Sequence, residues 1–236
     1  MIRLATFGAL VTLFQLCTLY LAGVMLSLPL AAVAAAMAIA CLTMGRLALH
    51  LAGNPLRADL PAALVAGFGI VSVALFALTV IVGLSPVQGI AGFAIVGLAL
   101  VAWIGRRAAP TPGDWADIGF AALTMVVVIA VALSAIQSPV TLTEQGRLPI
   151  WYDALLHGVS VQAFAGLSGP PTDPELAGSS LVFYHYAPFV PPAALIEVAR
   201  LNGLTAVAGQ VLPLGLLLGA LGLYAVSYTH LTLPTK

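Results

Sequence analysis

Residues 60–84 read LPAALVAGFGIVSVALFALTVIVGL, a run with no charged side chain and only Ser72 and Thr79 as hydroxyls. A helix needs about 20 consecutive apolar residues to cross a hydrocarbon core of about 30 Å. Lipid offers no partners to backbone N–H and C=O groups, so a spanning segment must be a helix or part of a closed barrel. This run therefore predicts a transmembrane helix. The whole chain shares its character: 236 residues, 61% hydrophobic and 7% charged, with zero formal net charge and a mean hydropathy of +1.11. Soluble domains carry about 25% charged residues, and a soluble fold of this size could not bury so much apolar surface. The predicted class is an all-α polytopic integral membrane protein.

Outward from residues 60–84, further spans are predicted at 4–26, 29–49, 89–105, 118–138, 186–200 and 204–225, about seven in all. Only Ser27-Leu28-Pro29 separates the first two, and Ser85-Pro86-Val87-Gln88 separates the third and fourth. Connections this short predict antiparallel neighbours. The sixth segment is short, opens with Pro188, Pro191 and Pro192, and contains Glu197, so a re-entrant or broken helix is the alternative there. The expected organisation is a five-span bundle over 1–138, a large polar outer loop over 139–185, and two further spans over 186–225. Residues 226–236, VSYTHLTLPTK, depart abruptly from the Leu/Gly/Ala pattern before them. They look like translated sequencing adapter, so we expect a non-native tail, with His230 and Lys236 set aside and the chain read as an N-terminal fragment.

Arginine placement predicts the orientation. With the N-terminus in the cytoplasm and seven crossings, Arg3, Arg46, Arg57, Arg106, Arg107 and Arg200 fall inside, and only Arg147 outside. That asymmetry follows the positive-inside rule. It predicts a multi-pass protein of the bacterial inner (cytoplasmic) membrane with residues 139–185 on the outer face. Zero net charge argues against nucleic acid as a partner. Cys17 and Cys41 fall inside spans, as small packing residues rather than a disulfide or metal pair. Asp114 or Asp117 is expected to cap the fifth span, and His50 to lie at an interface. Gln210 and Pro213 mark either a kink or a lining position in the last span.

The polar residues concentrate in WYDALLHGVSVQAFAGLSGPPTDPELAGSSLVFYHYAPFVPP, residues 151–192. Charge inside lipid is expensive and is usually retained for function. Asp153 and His157 are spaced i, i+4, on one face of a helix. The segment predicts a short amphipathic helix on the outer membrane surface, with Leu155, Leu156, Val159, Val161, Ala163 and Phe164 as its apolar face. It should stop at Gly166-Leu-Ser-Gly-Pro-Pro171.

Three readings of the cluster stand side by side. In a chemical one, Asp153 is a general base or a ligand to a divalent cation, with His157 or His185 assisting. In a binding one, Trp151, Tyr184, Tyr186 and the carboxylate grip a polar ligand. In a structural one, Asp153 and His157 are a surface helix pair, Asp173 and Glu175 belong to a solvated turn, and the aromatics form an interfacial belt. Glu197 and Arg200 read as an i, i+3 ion pair.

The order Asp153-x-x-x-His157, Phe164-Ala-Gly, Pro170, Leu176-Ala-Gly178, Leu181 and Tyr184-His185-Tyr186 resembles a pattern of large bacterial membrane proteins of the GT-C glycosyltransferase type and their uncharacterised relatives. Leu156-His157 stands where Phe-His is common there, and the match covers about 40 residues. The resemblance implies a transferase that moves a sugar from a polyprenyl-phosphate donor at the outer face. It casts Asp153 as the catalytic acidic residue, with His157 beside it and His185, Tyr184, Tyr186 and Trp151 lining the substrate site. In that family the acidic loop follows the first span, whereas here it follows the fifth. A membrane transporter with a polar site at the outer loop and broken sixth helix, and a non-catalytic membrane scaffold, are the alternatives.

Overall fold

The computed structural model describes residues 2–53, 59–105, 115–150, 153–165 and 186–232. Among them every regular element is helical. In chain order these are α1 (Ile2–Leu21), α2 (Leu28–Leu51), α3 (Leu60–Ala77, prolonged by a π-helical turn at Leu78–Val82) and α4 (Pro86–Gly105). Then follow α5 (Ala116–Ile136), α6 (Ser138–Gln145) and α7 (Asp153–Phe164). A 3₁₀ turn at Ala187–Phe189 leads into α8 (Val190–Ala199), then α9 (Gly203–Ala206), a π-helical turn at Val207–Val211 and α10 (Leu212–Thr232).

Among the described residues, six helical stretches are long and apolar enough to cross a membrane: Ile2–Leu21, Leu28–Leu51, Leu60–Val82, Pro86–Ile104, Ala116–Gln145 and Gly203–Ser227. The protein is thus a multi-pass membrane protein by the length and composition of its helices. The fifth stretch runs past the expected limit at 138, because α6 prolongs α5 beyond Gln137. The last helix runs through Val226 without a break.

Local signals start the helices. Ser27 accepts from the Leu30 N–H and Asp59 from the Ala62 N–H, with a proline in each first turn. There an N–H has no intrahelical acceptor and the fixed φ of proline fits. The α1–α2 turn passes through Gly23 at φ 87°, a left-handed conformation that glycine tolerates best.

α2 is the central helix, packing on α1, α3, α4 and α8. Its closest neighbour is α3. A Cβ on Gly45 would collide with the Ala63 carbonyl, and one on Gly67 with the Cys41 carbonyl. Cys41-x-x-x-Gly45 and Ala63-x-x-x-Gly67 thus interlock backbone to backbone, the small-residue contact on which helices in lipid rely. The short α3–α4 connection was expected to leave those helices side by side, yet α4 packs chiefly on α2. Gly97 of α4 fits against the Thr43 side chain, and the π-helical turn ending α3 at Gly83 redirects the chain beforehand.

The largest difference from expectation concerns residues 186–200. Helix Ala187–Ala199 is only about 20 Å long at 1.5 Å per residue, too short for a hydrocarbon core of about 30 Å. Its two ends also lie at the same end of the bundle. Tyr186, just before it, packs on Phe164 of α7, which packs on Phe76 near the end of α3. At the other terminus, the Glu197 carboxylate accepts from the Val87 N–H at 3.3 Å, at the start of α4. α8 is therefore tucked into the bundle rather than spanning it, with Val190 to Ile196 all buried. Pro191 and Pro192 occupy its first turn, where prolines do not interrupt hydrogen bonding.

The turn-back of α8 also sets the position of Arg200. A cavity at the end that carries Gly23 is lined by Ala22–Met25, by α6, and by Ala199–Asn202. Arg200 is thus at the Gly23 end. The opposite end holds Arg3, whose guanidinium lies 5.3 Å from the Trp115 ring centroid, and Tyr224, whose hydroxyl donates to Asp117 at 3.0 Å. Asp114 or Asp117 was expected to cap α5; Asp117 sits in the first turn and accepts from Tyr224 of α10, and the cap position is Trp115. Arg57, Arg106, Arg107 and Asp114 lie outside the described residues.

Candidate functional site

α7 begins at Asp153, whose carboxylate suits the positive end of a helix dipole. Its buried residues are Ala154, Gly158, Ser160, Val161 and Phe164, whereas Leu155 and Val159 are exposed. The helix is thus turned relative to the apolar face expected from its larger side chains. The cause is a close crossing. Gly158 meets Gly203 backbone to backbone, and a Cβ on Gly203 would collide with the Gly158 carbonyl. Only small residues permit that approach, so the small-residue side faces α9 and α8, and Leu155 and Val159 face outward. α7 is docked on the bundle through α9 and α8.

Docking places the two candidate catalytic residues. Asp153 is exposed at the head of α7. His157, one turn on, is half-buried, its ring 4.9 Å from Phe189 at a 33° tilt. Phe189 belongs to the 3₁₀ turn before α8, so the imidazole rests on the entrance to the proline-rich helix. Further along, Phe164 packs edge-on to Phe76 and at 5.9 Å from Tyr186. Tyr186 is 3% exposed; its ring forms part of the core beneath the site rather than an interfacial belt. Phe164 and Tyr186 are in contact, so the chain on either side of residues 166–185 is held at one place.

Of the six residues singled out from sequence, the structure places Asp153, His157 and Tyr186. Trp151, Tyr184 and His185 lie outside the described residues, as do Asp173 and Glu175. Among the described residues no group of three or more His, Cys, Asp or Glu side chains could hold a metal ion.

Sequence reasoning missed two polar devices. Glu197 was assigned to an ion pair with Arg200, but its carboxylate caps α4, and Arg200 ends α8 in a left-handed conformation at φ 53°. Gln210, in the π-helical turn, donates to the Gln15 carbonyl oxygen at 2.8 Å, and both residues are buried. Gln15 donates in turn toward the Ala34 carbonyl at 3.3 Å. An uncharged amide in a predicted span was the available signal at position 15.

No family model matches the chain, and neither a curated protein nor a solved structure is significantly similar to it.

Proposed function

We propose that this membrane protein is a GT-C-like transferase that moves a sugar from a polyprenyl-phosphate donor, with the Gly23 end facing outward from the bacterial inner membrane and the N-terminus in the cytoplasm. The observation that carries this reading is the exposed Asp153 carboxylate at the head of a firmly docked helix, one turn from His157, where the spanning helices end. Helix ends lie at the level of lipid head groups, where a lipid-linked sugar presents its phosphate. A carboxylate held on a packed helix is better positioned than one on a loop, and positioning is much of what a general base contributes.

In the proposed step, Asp153 takes the proton of an acceptor hydroxyl, whose oxygen bonds to the anomeric carbon. The bond from that carbon to the phosphate oxygen breaks, and polyprenyl phosphate leaves. His157, with its ring against Phe189, stands one turn away on the same helix. Trp151, Tyr184 and His185 are proposed to line the sugar site, with the buried Tyr186 supporting it from the core, and a divalent cation held by Asp153 is the variant of the same scheme.

The test is Asp153→Asn, with lipid-linked sugar turnover and melting temperature measured together. Turnover should fall by about 10²–10⁴-fold, the usual contribution of a general base. Stability should change by less than about 1 kcal/mol, as for an exposed charged residue. Unchanged turnover, or loss only in step with loss of folded protein, would return Asp153 to the role of a surface helix residue.

One observation favours a second reading, transport. The Gln15–Gln210 pair is buried on a helix interrupted by a π-helical turn, and interrupted helices with polar lining are how transporters build substrate sites. Solute uptake into vesicles abolished by Gln210→Leu and unaffected by Asp153→Asn would select that reading.

A further inference from the structure

We propose that the Gly23 end carries a binding site for a zwitterionic phospholipid, with the phosphate on Arg200, the ammonium on Glu144, and one acyl chain along α7. The site is distinct from the proposed chemistry at Asp153 and does not depend on it. A cavity of about 560 Å³ opens between the α1–α2 turn, α6 and the α8–α9 junction. Its charged lining residues are Glu144 and Arg200, with Thr143, Asn202 and Thr205 beside them. Both charged side chains are exposed, and among the described residues neither makes an ion pair. A cavity offering one cation and one anion, not neutralised by each other, complements a head group that carries both signs.

A second cavity of about 610 Å³ shares Leu142, Asn202 and Leu204 with the first. It continues over Leu155, Val159 and Ala163, with little polar lining beyond Gln162 and Asn202. Polar cavity and apolar groove together match an amphiphile rather than a free solute. The rim identifies the source. Met25 is 90% and Leu28 84% exposed beside the polar cavity, and large apolar side chains exposed at the end of spanning helices face lipid. The turned face of α7 is accounted for in the same way: Leu155 and Val159, left outward by the Gly158–Gly203 crossing, form the wall of the groove.

Arg200 has a further property. It is the only non-glycine residue at positive φ among the described residues. At a helix C-terminus that conformation favours glycine, so an arginine there costs backbone energy. The residue nevertheless lines the cavity. This gives a clean test, because Arg200→Gly removes the charge while relieving the backbone.

The full chain, purified in mild detergent and stripped of lipid, would be titrated with dioleoylphosphatidylethanolamine and with dioleoylphosphatidylglycerol and read by native mass spectrometry. The wild-type protein should retain the ethanolamine lipid preferentially. Arg200→Gly should melt at or above the wild-type temperature and bind both lipids about tenfold more weakly, the scale of one charge-assisted hydrogen bond. Glu144→Gln should abolish the preference for the ethanolamine lipid while keeping phosphatidylglycerol binding. Glycerophosphoethanolamine, the head group without chains, should not compete at equal concentration. The proposal is overturned by equal retention of the two lipids in the wild-type protein, by Arg200→Gly binding like wild type, by Glu144→Gln keeping the preference, or by the chain-free head group competing as well as the lipid.

Discussion

Gln15 and Gln210 show how much a single pair can carry inside an apolar bundle. The two amides are 195 positions apart and 2.8 Å from each other. The side-chain Oε1 of Gln210 has no hydrogen-bond partner among the described residues, so the pair is a tether rather than a fully satisfied network. Either single substitution to leucine leaves the partner's amide in need of another partner. Replacing both removes the need. A double-mutant cycle with Gln15→Leu and Gln210→Leu should show a coupling near 0.6 kcal/mol, and at most about 1.7, as for hydrogen bonds between membrane helices. A double mutant as unstable as the two singles summed would show that the amides do not act together. Gln210 was conspicuous in the sequence as a polar residue in an apolar helix. Its partner was not, because no local rule links positions so far apart.

At the level of elements, two glycine crossings organise the molecule, Gly45 with Gly67 and Gly158 with Gly203. The second one positions the candidate site. Gly203→Leu cannot be accommodated without separating α7 from α9, and overpacking of this kind costs about 1–3 kcal/mol. Hydrogen exchange should then show lost protection over residues 153–164 while α2 and α3 stay protected. Uniform loss over the whole chain would mean that α7 is integral to the bundle rather than docked on it. The helical character of 153–164 was legible from its periodicity. Its inward face was legible only in part: Val161 and Phe164 are buried as expected, whereas Leu155 and Val159 face outward because the Gly158–Gly203 crossing fixes the packed side. In lipid, side-chain size does not set the buried face: the surroundings are as apolar as leucine, and close backbone approach decides instead. Residues 186–200 illustrate the same limit. Their apolar composition matches a span, and only the contacts of Tyr186 and Glu197 show that both ends lie together.

Over the whole molecule the difference between six and seven spans is a matter of sidedness. In a Cys17→Ala, Cys41→Ala background, Thr143→Cys and Arg200→Cys should both react with a membrane-impermeant maleimide in intact cells. Trp115→Cys should react only after permeabilisation. Seven spans would put positions 143 and 200 on opposite sides, and the inverse pattern at all three would reverse the proposed orientation. The arginine distribution still favours an internal N-terminus, although with Arg200 moved to join Arg147 the asymmetry is smaller than seven crossings implied.

Composition and hydrophobic run length by themselves determined the membrane class, the helical architecture and the approximate limits of the long spans. Those properties follow from transfer energies and backbone hydrogen bonding, which are local and additive along a chain. Tertiary structure alone decided that α4 lies on α2, that α8 turns back inside the bundle, which face of α7 is buried, and that Arg200 and Glu144 line one cavity. Each depends on which small residues from distant segments meet, and a lipid solvent places no penalty on the alternatives that a hydrophobic pattern could register.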